Sequence, residues 1–321
     1  MLKYKAKLRE SVAQNRVAKR DYERRLPNDV RSNSKSFLAY VRSKQRTKDR
    51  VGPLKNIEGN VVVDDGEAAS LLNVYFGSVF TIEDRTEIPR PASIFQGKVD
   101  EGGLLNLKID SRIVEKKLQS LKIDKSPGLD GIHQEILFQL RKEISEPLSN
   151  LFNHSLQGGR VPIDRKEAGV TALFKKGKKS DVQNYRPVSL TRVVCKIMKS
   201  ILKDAILVHL EKHKLIRNSQ HGFTRGKSCL TNLLEFFEAV TSNLDEGKPV
   251  DIIYLDFSKA FDTRATSATF SNIQAHGIGG KILEWVKNWV ADRRQKVGVN
   301  GTYSGWESVI DVVPQGSVLG H

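Results

Sequence analysis

The stretch Tyr254-Leu255-Asp256-Phe257-Ser258-Lys259-Ala260-Phe261-Asp262 sets two carboxylates six residues apart, at the end of the apolar run Val250 to Leu255. Ile252 and Tyr254 fall on one side of an extended chain and Ile253 and Leu255 on the other, so the run reads as a strand buried on both faces. A carboxylate at the mouth of such a strand is costly unless a positive charge sits beside it. A divalent metal is one candidate. Mg²⁺ takes one or two protein carboxylates and leaves its other positions to water and phosphate oxygens. The competing reading is a cap: Asp256 closes the turn that follows, as Asp often does.

A second group of residues points to phosphate. A strand over 170–174 leads into Lys175-Lys176-Gly177-Lys178-Lys179, and Asn184-Tyr185-Arg186-Pro187-Val188-Ser189-Leu190 returns. A Lys-rich turn and a returning Arg make a clamp for a triphosphate; alone, the Lys run also reads as a solvated loop. The turn from His221 to Ser228 lacks the glycine spacing and the preceding strand of a P-loop. Cys195 and Cys229 stand in no metal-binding spacing. His209 and His221 read as surface or core histidines.

The elements that position these groups follow from periodicity. Of 321 residues, 39% are apolar, and the net charge is +16 with a pI near 9.7. That balance favours a polyanionic partner, nucleic acid first. Residues 1–50 hold 16 Lys/Arg against 5 Asp/Glu and read as a basic helical arm for nucleic-acid phosphates, or as a solvated leader. Gly59-Asn60 marks a small hairpin. Helices are expected over 68–80, 113–121, 132–144, 148–156 and 191–213, and after Ser228 as an N-cap. One more carries Ile282, Val286, Trp289 and Val290. Asn300-Gly301 is a two-residue hairpin signal after Val297 and Val299. Asp64-Asp65 reads as a helix cap. No signal peptide and no membrane span is expected, which places the protein inside the cell, in nucleus or cytoplasm.

Four blocks stand in one order: SPGLDG, NYRPVSL, YLDFSKAFD and VPQGS. Together they resemble the reverse transcriptases of non-LTR, LINE-like retrotransposons of the jockey and chicken-repeat type. The resemblance implies an α+β fold of fingers and partial palm behind the basic arm at 1–50. It makes 51–110 a linker, 111–190 the fingers and 191–321 the first part of the palm. It implies that Asp256 is the first catalytic carboxylate on Mg²⁺, with the Phe257 backbone carbonyl on the same metal. Phe261 then gates the sugar, while Asp262 belongs to the motif in a less defined role. Lys175 and Arg186 would clamp the incoming dNTP, and Gln315 and Gly316 would pack against nucleotide and template. The implied partners are an RNA template, a DNA primer and dNTP. The implied reaction is in-line attack of the primer 3′-hydroxyl on the α-phosphate, with two metals.

The sequence departs from that pattern in places. Arg165 stands where a Trp is usual, Arg264-Ala265-Thr266 where Val-Pro-His is usual, Thr224-Arg225 for Arg-Pro, Val312 for Gly and His321 for Pro. The family takes a further carboxylate from an apolar-Ala-Asp-Asp hairpin after the PQG turn, and His321 comes before any such hairpin. The expectation is therefore a chain without thumb or second metal position that does not polymerise as given. The alternatives are a non-catalytic nucleic-acid-binding remnant and a relic without a stable fold.

Overall fold

The computed structural model describes residues 2–25, 40, 51–79, 94–95, 104, 107–125, 127–255, 266–309 and 318–319. It forms two compact units, 1–50 and 51–321. In the first, α1 (Leu2–Arg25) ends on Arg24 and Arg25, where cations suit the negative end of the helix dipole.

The larger unit is a mixed α/β fold with two apolar cores. A hairpin opens it. β1 (Leu54–Lys55) pairs antiparallel with β2 (Val61–Val62) across a turn in which Gly59 takes φ +87°. The sequence reading placed the turn correctly but put Ile57 in a strand; Ile57 lies at the tip, fully exposed. Asp64 then caps α2 (Asp65–Ser78), its carboxylate accepting from the Gly66 and Glu67 backbone N–H groups, so the acidic pair is a helix start.

The main sheet runs β4-β3-β5-β6, with β7 also on β5. β3 (Glu167–Phe174) pairs antiparallel with β4 (Tyr185–Leu190) and parallel with β5 (Arg293–Val299). β6 (Thr302–Tyr303) and β7 (Glu307–Val309) return on β5. Asn300 and Gly301, at φ +51° and +99°, make the tight turn expected of that pair. Pro187 is tolerated because β4 is an edge strand. One face of this sheet packs on α2, burying Leu72 and Phe76 with Val170, Ala172, Val297 and Val299. A buried polar link fixes the docking: Gln295 donates to Asn73, whose amide donates to Ser304 Oγ and the Gly305 carbonyl.

The second core is helical. α3 (Ser111–Gln119), α4 (Gln134–Gln139), α5 (Arg141–Gln157), α6 (Val193–Lys212) and α9 (Gly280–Val290) surround Val114, Leu118, Phe152, Leu202, Trp285 and Trp289. Between α6 and α9 come α7 (Cys229–Asp245) and α8 (Thr266–Ala275). Two expectations are corrected here. The apolar spacing over 132–144 is not one helix: the chain breaks at Leu140, and α5 runs on through Pro147. Spacing of 3.6 persists across a break that keeps the same face inward, so periodicity alone does not reveal it.

The second correction concerns the run before Asp256. Val250 to Leu255 forms no strand, and Ile253, Tyr254 and Leu255 are 83%, 80% and 92% exposed. The physical reason is pairing. Both edges of β3 and β5 are already occupied, and β4, at the end of the sheet, carries Pro187. α7 has the Ser228 N-cap expected from the sequence, completed as a capping box by Thr231, yet it buries no residue. Its Leu230, Leu233, Leu234 and Phe237 stay open to solvent.

Candidate nucleotide and nucleic-acid surface

Two of the four motif blocks meet on the outward face of the sheet, the face opposite α2. In the SPGLDG block, Gly128 lies against the backbone of Thr191 and Arg192: a Cβ there would come within 3.0 Å of Arg192 Cα. Leu129 fills the space above β3 where Gly169 has no side chain, its Cδ2 only 2.6 Å from the position a Cβ would take. Gly131, at φ +69°, closes the turn with its N–H on the Gly128 carbonyl. The NYRPVSL block is β4 itself, and Leu190, paired with Gly169, leads directly into that contact.

The β3–β4 turn is built rather than loose. Lys175 N–H donates to the Asn184 carbonyl, and Asn184 Nδ2 donates to the Lys178 carbonyl. Gly177 takes φ +90°, with the Asn184 amide lying where its Cβ would be. Tyr185 turns inward, edge-on to Phe174, and its hydroxyl donates to the Lys179 carbonyl; burial raises the phenol's pKa. Arg186 is paired with Leu173, so by strand alternation it shares the outward face with Lys175. Diagonal neighbours of this kind stand about 7–8 Å apart. Both side chains are exposed, and neither makes an ion pair or side-chain hydrogen bond to a described residue.

Further along the same face, Glu167 is held by two arginines. Arg294 Nη2 lies 2.7 Å from one carboxylate oxygen and Arg192 Nη2 3.6 Å from the other. Arg192 also pairs with Asp164 at 2.7 Å. Beyond them the strand alternation brings Lys296 outward, beside Tyr303 and Trp306. This row was missed in the sequence, where the strand was begun only at Val297. The period-two pattern Arg294, Lys296, Gly298 against Gln295, Val297, Val299 carried the signal.

Asp256, Phe257, Phe261, Asp262, Gln315 and Gly316 fall outside the described residues. Among the described residues no three His, Cys, Asp or Glu side chains gather as a metal site. The histidines are structural, as expected: His221 bonds Thr231 at 2.9 Å, and His209 Nε2 lies 2.9 Å from the His276 carbonyl. Among the described residues no helix is long and apolar enough to cross a membrane.

A family model described as reverse transcriptase (RNA-dependent DNA polymerase) matches residues 175–320, beginning at the hairpin's first lysine. The chain carries part of a reverse-transcriptase-like domain. Over 208 residues it is 24% identical to the probable RNA-directed DNA polymerase from transposon BS of Drosophila melanogaster, covering 64% of this chain and 23% of that protein. With the RNA-directed DNA polymerase from mobile element jockey of the same fly it shares 27% over 208 residues, with the same coverage. A putative 115 kDa protein of the type-1 retrotransposable element R1DM matches at 26% over 275 residues, 82% of this chain and 24% of that one. The chain spans about a quarter of the length of these curated relatives. The partial domain is therefore homologous to reverse transcriptases of non-LTR retrotransposons.

Proposed function

We propose that the chain is the fingers and first palm region of an RNA-directed DNA polymerase, an enzyme class that joins dNTP to a primer 3′-hydroxyl on an RNA template, with this stretch supplying the nucleotide clamp rather than the whole reaction. The observation that carries this reading is the hairpin. Lys175 and Arg186 share one exposed face, have no side-chain partner among the described residues, and sit on an ordered turn within the matched region. Arg186 presents a fixed fork to phosphate oxygens, and Lys175 adds a point charge beside it. Held there, the α-phosphate faces the primer. The primer 3′-oxygen forms the new P–O bond, the bond to pyrophosphate breaks, and the clamp neutralises charge on the leaving group.

Asp256, with the Phe257 carbonyl, is the proposed seat of Mg²⁺, Phe261 the proposed sugar gate, and Gln315-Gly316 the proposed contact to nucleotide and template. These four assignments rest on the sequence motifs. Asp262 is assigned no separate role.

The hairpin is tested by titrating a fluorescent dNTP into the full chain. Arg186→Ala is expected to weaken binding at least about tenfold, the value of a lost charge-assisted hydrogen bond. Unchanged affinity in both Arg186→Ala and Lys175→Ala would remove the clamp. A primer-extension assay in Mg²⁺ separates chemistry from binding. Extension lost in Asp256→Asn supports the polymerase; nucleic-acid binding with no extension in the wild type leaves the non-catalytic reading.

A further inference from the structure

The hairpin after β5 carries a surface that the nucleotide clamp does not use. On the outward face of β5, Arg294, Lys296 and Gly298 follow one another at every second position. Tyr303 lies opposite Gly298, and its ring occupies the space above that glycine, 2.9 Å from where a Cβ would stand. Any larger residue at 298 would push the ring off the strand. Lys296 Nζ lies 4.4 Å from the Tyr303 ring centre and 5.0 Å from that of Trp306, so one ammonium sits between two rings. Arg294 Cζ lies 5.5 Å from the Trp306 centre.

Both rings are open to solvent. Trp285 and Trp289 are buried, whereas Trp306 is 39% and Tyr303 49% exposed. Arg294 is matched by Glu167, but among the described residues Lys296 has no carboxylate partner. Rings that merely shielded the sheet would be covered on their outer side. Here two aromatic rings, each with a cation over one face, stay partly open on a chain of net charge +16. Successive bases stack on such rings while cations track the phosphates, without a preferred sequence.

We propose that the outward face of β5 and β6, through Tyr303 and Trp306 with Lys296 and Arg294, is a stacking platform for single-stranded nucleic acid. The ligand class rests on the nucleic-acid reading above; the place and the residues are independent of it.

The test uses the full chain, with labelled oligo(U) and oligo(dT) of about 12 nucleotides, a length that spans such sites. Anisotropy reports binding and tryptophan emission reports stacking. Trp306 is the one tryptophan open to solvent, so quenching that follows the anisotropy curve is expected. Trp306→Ala should abolish the quenching and weaken binding roughly 5- to 100-fold. Trp306→Tyr, which keeps a ring, should recover most of the affinity and guards against a folding defect. Lys296→Ala should lower the slope of log affinity against log salt by about one unit. Stronger quenching by oligo(U) assigns the strand as RNA, and stronger quenching by oligo(dT) as DNA. Salt-dependent binding without quenching, unchanged in Trp306→Ala, would overturn the platform and leave the nucleic-acid reading standing. No binding of either oligonucleotide would overturn both.

Discussion

Lys199→Met is expected to stabilise the protein by about 1–4 kcal/mol, the gain seen when a buried ionic group gives way to an apolar side chain of similar volume. Lys199 projects from α6 into the helical core, is 1% exposed, and its Nζ has no hydrogen-bond partner among the described residues. The face of Trp289 lies 5.0 Å away, and such a contact contributes about 2 kcal/mol even when dry. Burial, more than neighbouring Arg293 and Lys196, lowers its pKa to about 7, while the Cys195 side chain acts in the opposite direction. The folded pKa lies below the unfolded 10.5, so the unfolded chain binds more protons between those values. The penalty is therefore fully present below about pH 7 and fades as pH rises toward 10.5. Urea melts of wild type and Lys199→Met should converge as pH is raised across that window. A variant that is less stable than wild type at neutral pH, or a difference constant with pH, would mean that Lys199 finds a partner in solution.

That lysine shows which part of the molecule the sequence conveyed. Features decided within a few residues were legible. Asp64 and Ser228 cap helices because a short polar side chain reaches the second or third N–H. Asn300-Gly301 turns because both residues accept positive φ. Features decided by distant pairing were not. Nothing local states that Glu167 lies beside Arg294, the contact that makes the sheet mixed. The apolar run before Asp256 reads as a buried strand because hydrophobicity specifies burial but not the neighbour that must supply it. Lys199 falls on the apolar stripe of α6, where a long side chain is normally assumed to reach solvent. The candidate site divides the same way. Lys175 and Arg186, proposed as a clamp, were singled out from the sequence of their turn, while the Lys296–Tyr303–Trp306 row emerged only once β5, β6 and β7 were placed together. Arg165 was noted only as a departure in sequence; in the fold its Nη1 is buried with no partner among the described residues.

Trp289→Ala is expected to cost about 3–5 kcal/mol, the range for removing a fully buried indole. The ring stacks on Trp285 at 6.4 Å with 12° between planes, and Trp285 in turn donates to Ser155 Oγ. It also faces two buried cations. Lys199 is one; the other is Arg293, whose Cζ lies 5.2 Å from the ring centre and whose Nη2 has no partner among the described residues. Burial also lowers the Arg293 pKa, to about 10, which leaves the guanidinium charged at neutral pH. Truncating the indole thus leaves a cavity and strips two charges of the one polarisable face they share. Those losses are coupled, and a double-mutant cycle separates them. If the ring is a partner of the lysine, Trp289→Ala should cost about 1–2 kcal/mol less in the Lys199→Met background than in wild type. If the two substitutions add within about 0.5 kcal/mol, the indole contributes volume alone. The buried ammonium would then be tolerated only because the rest of the core outweighs it.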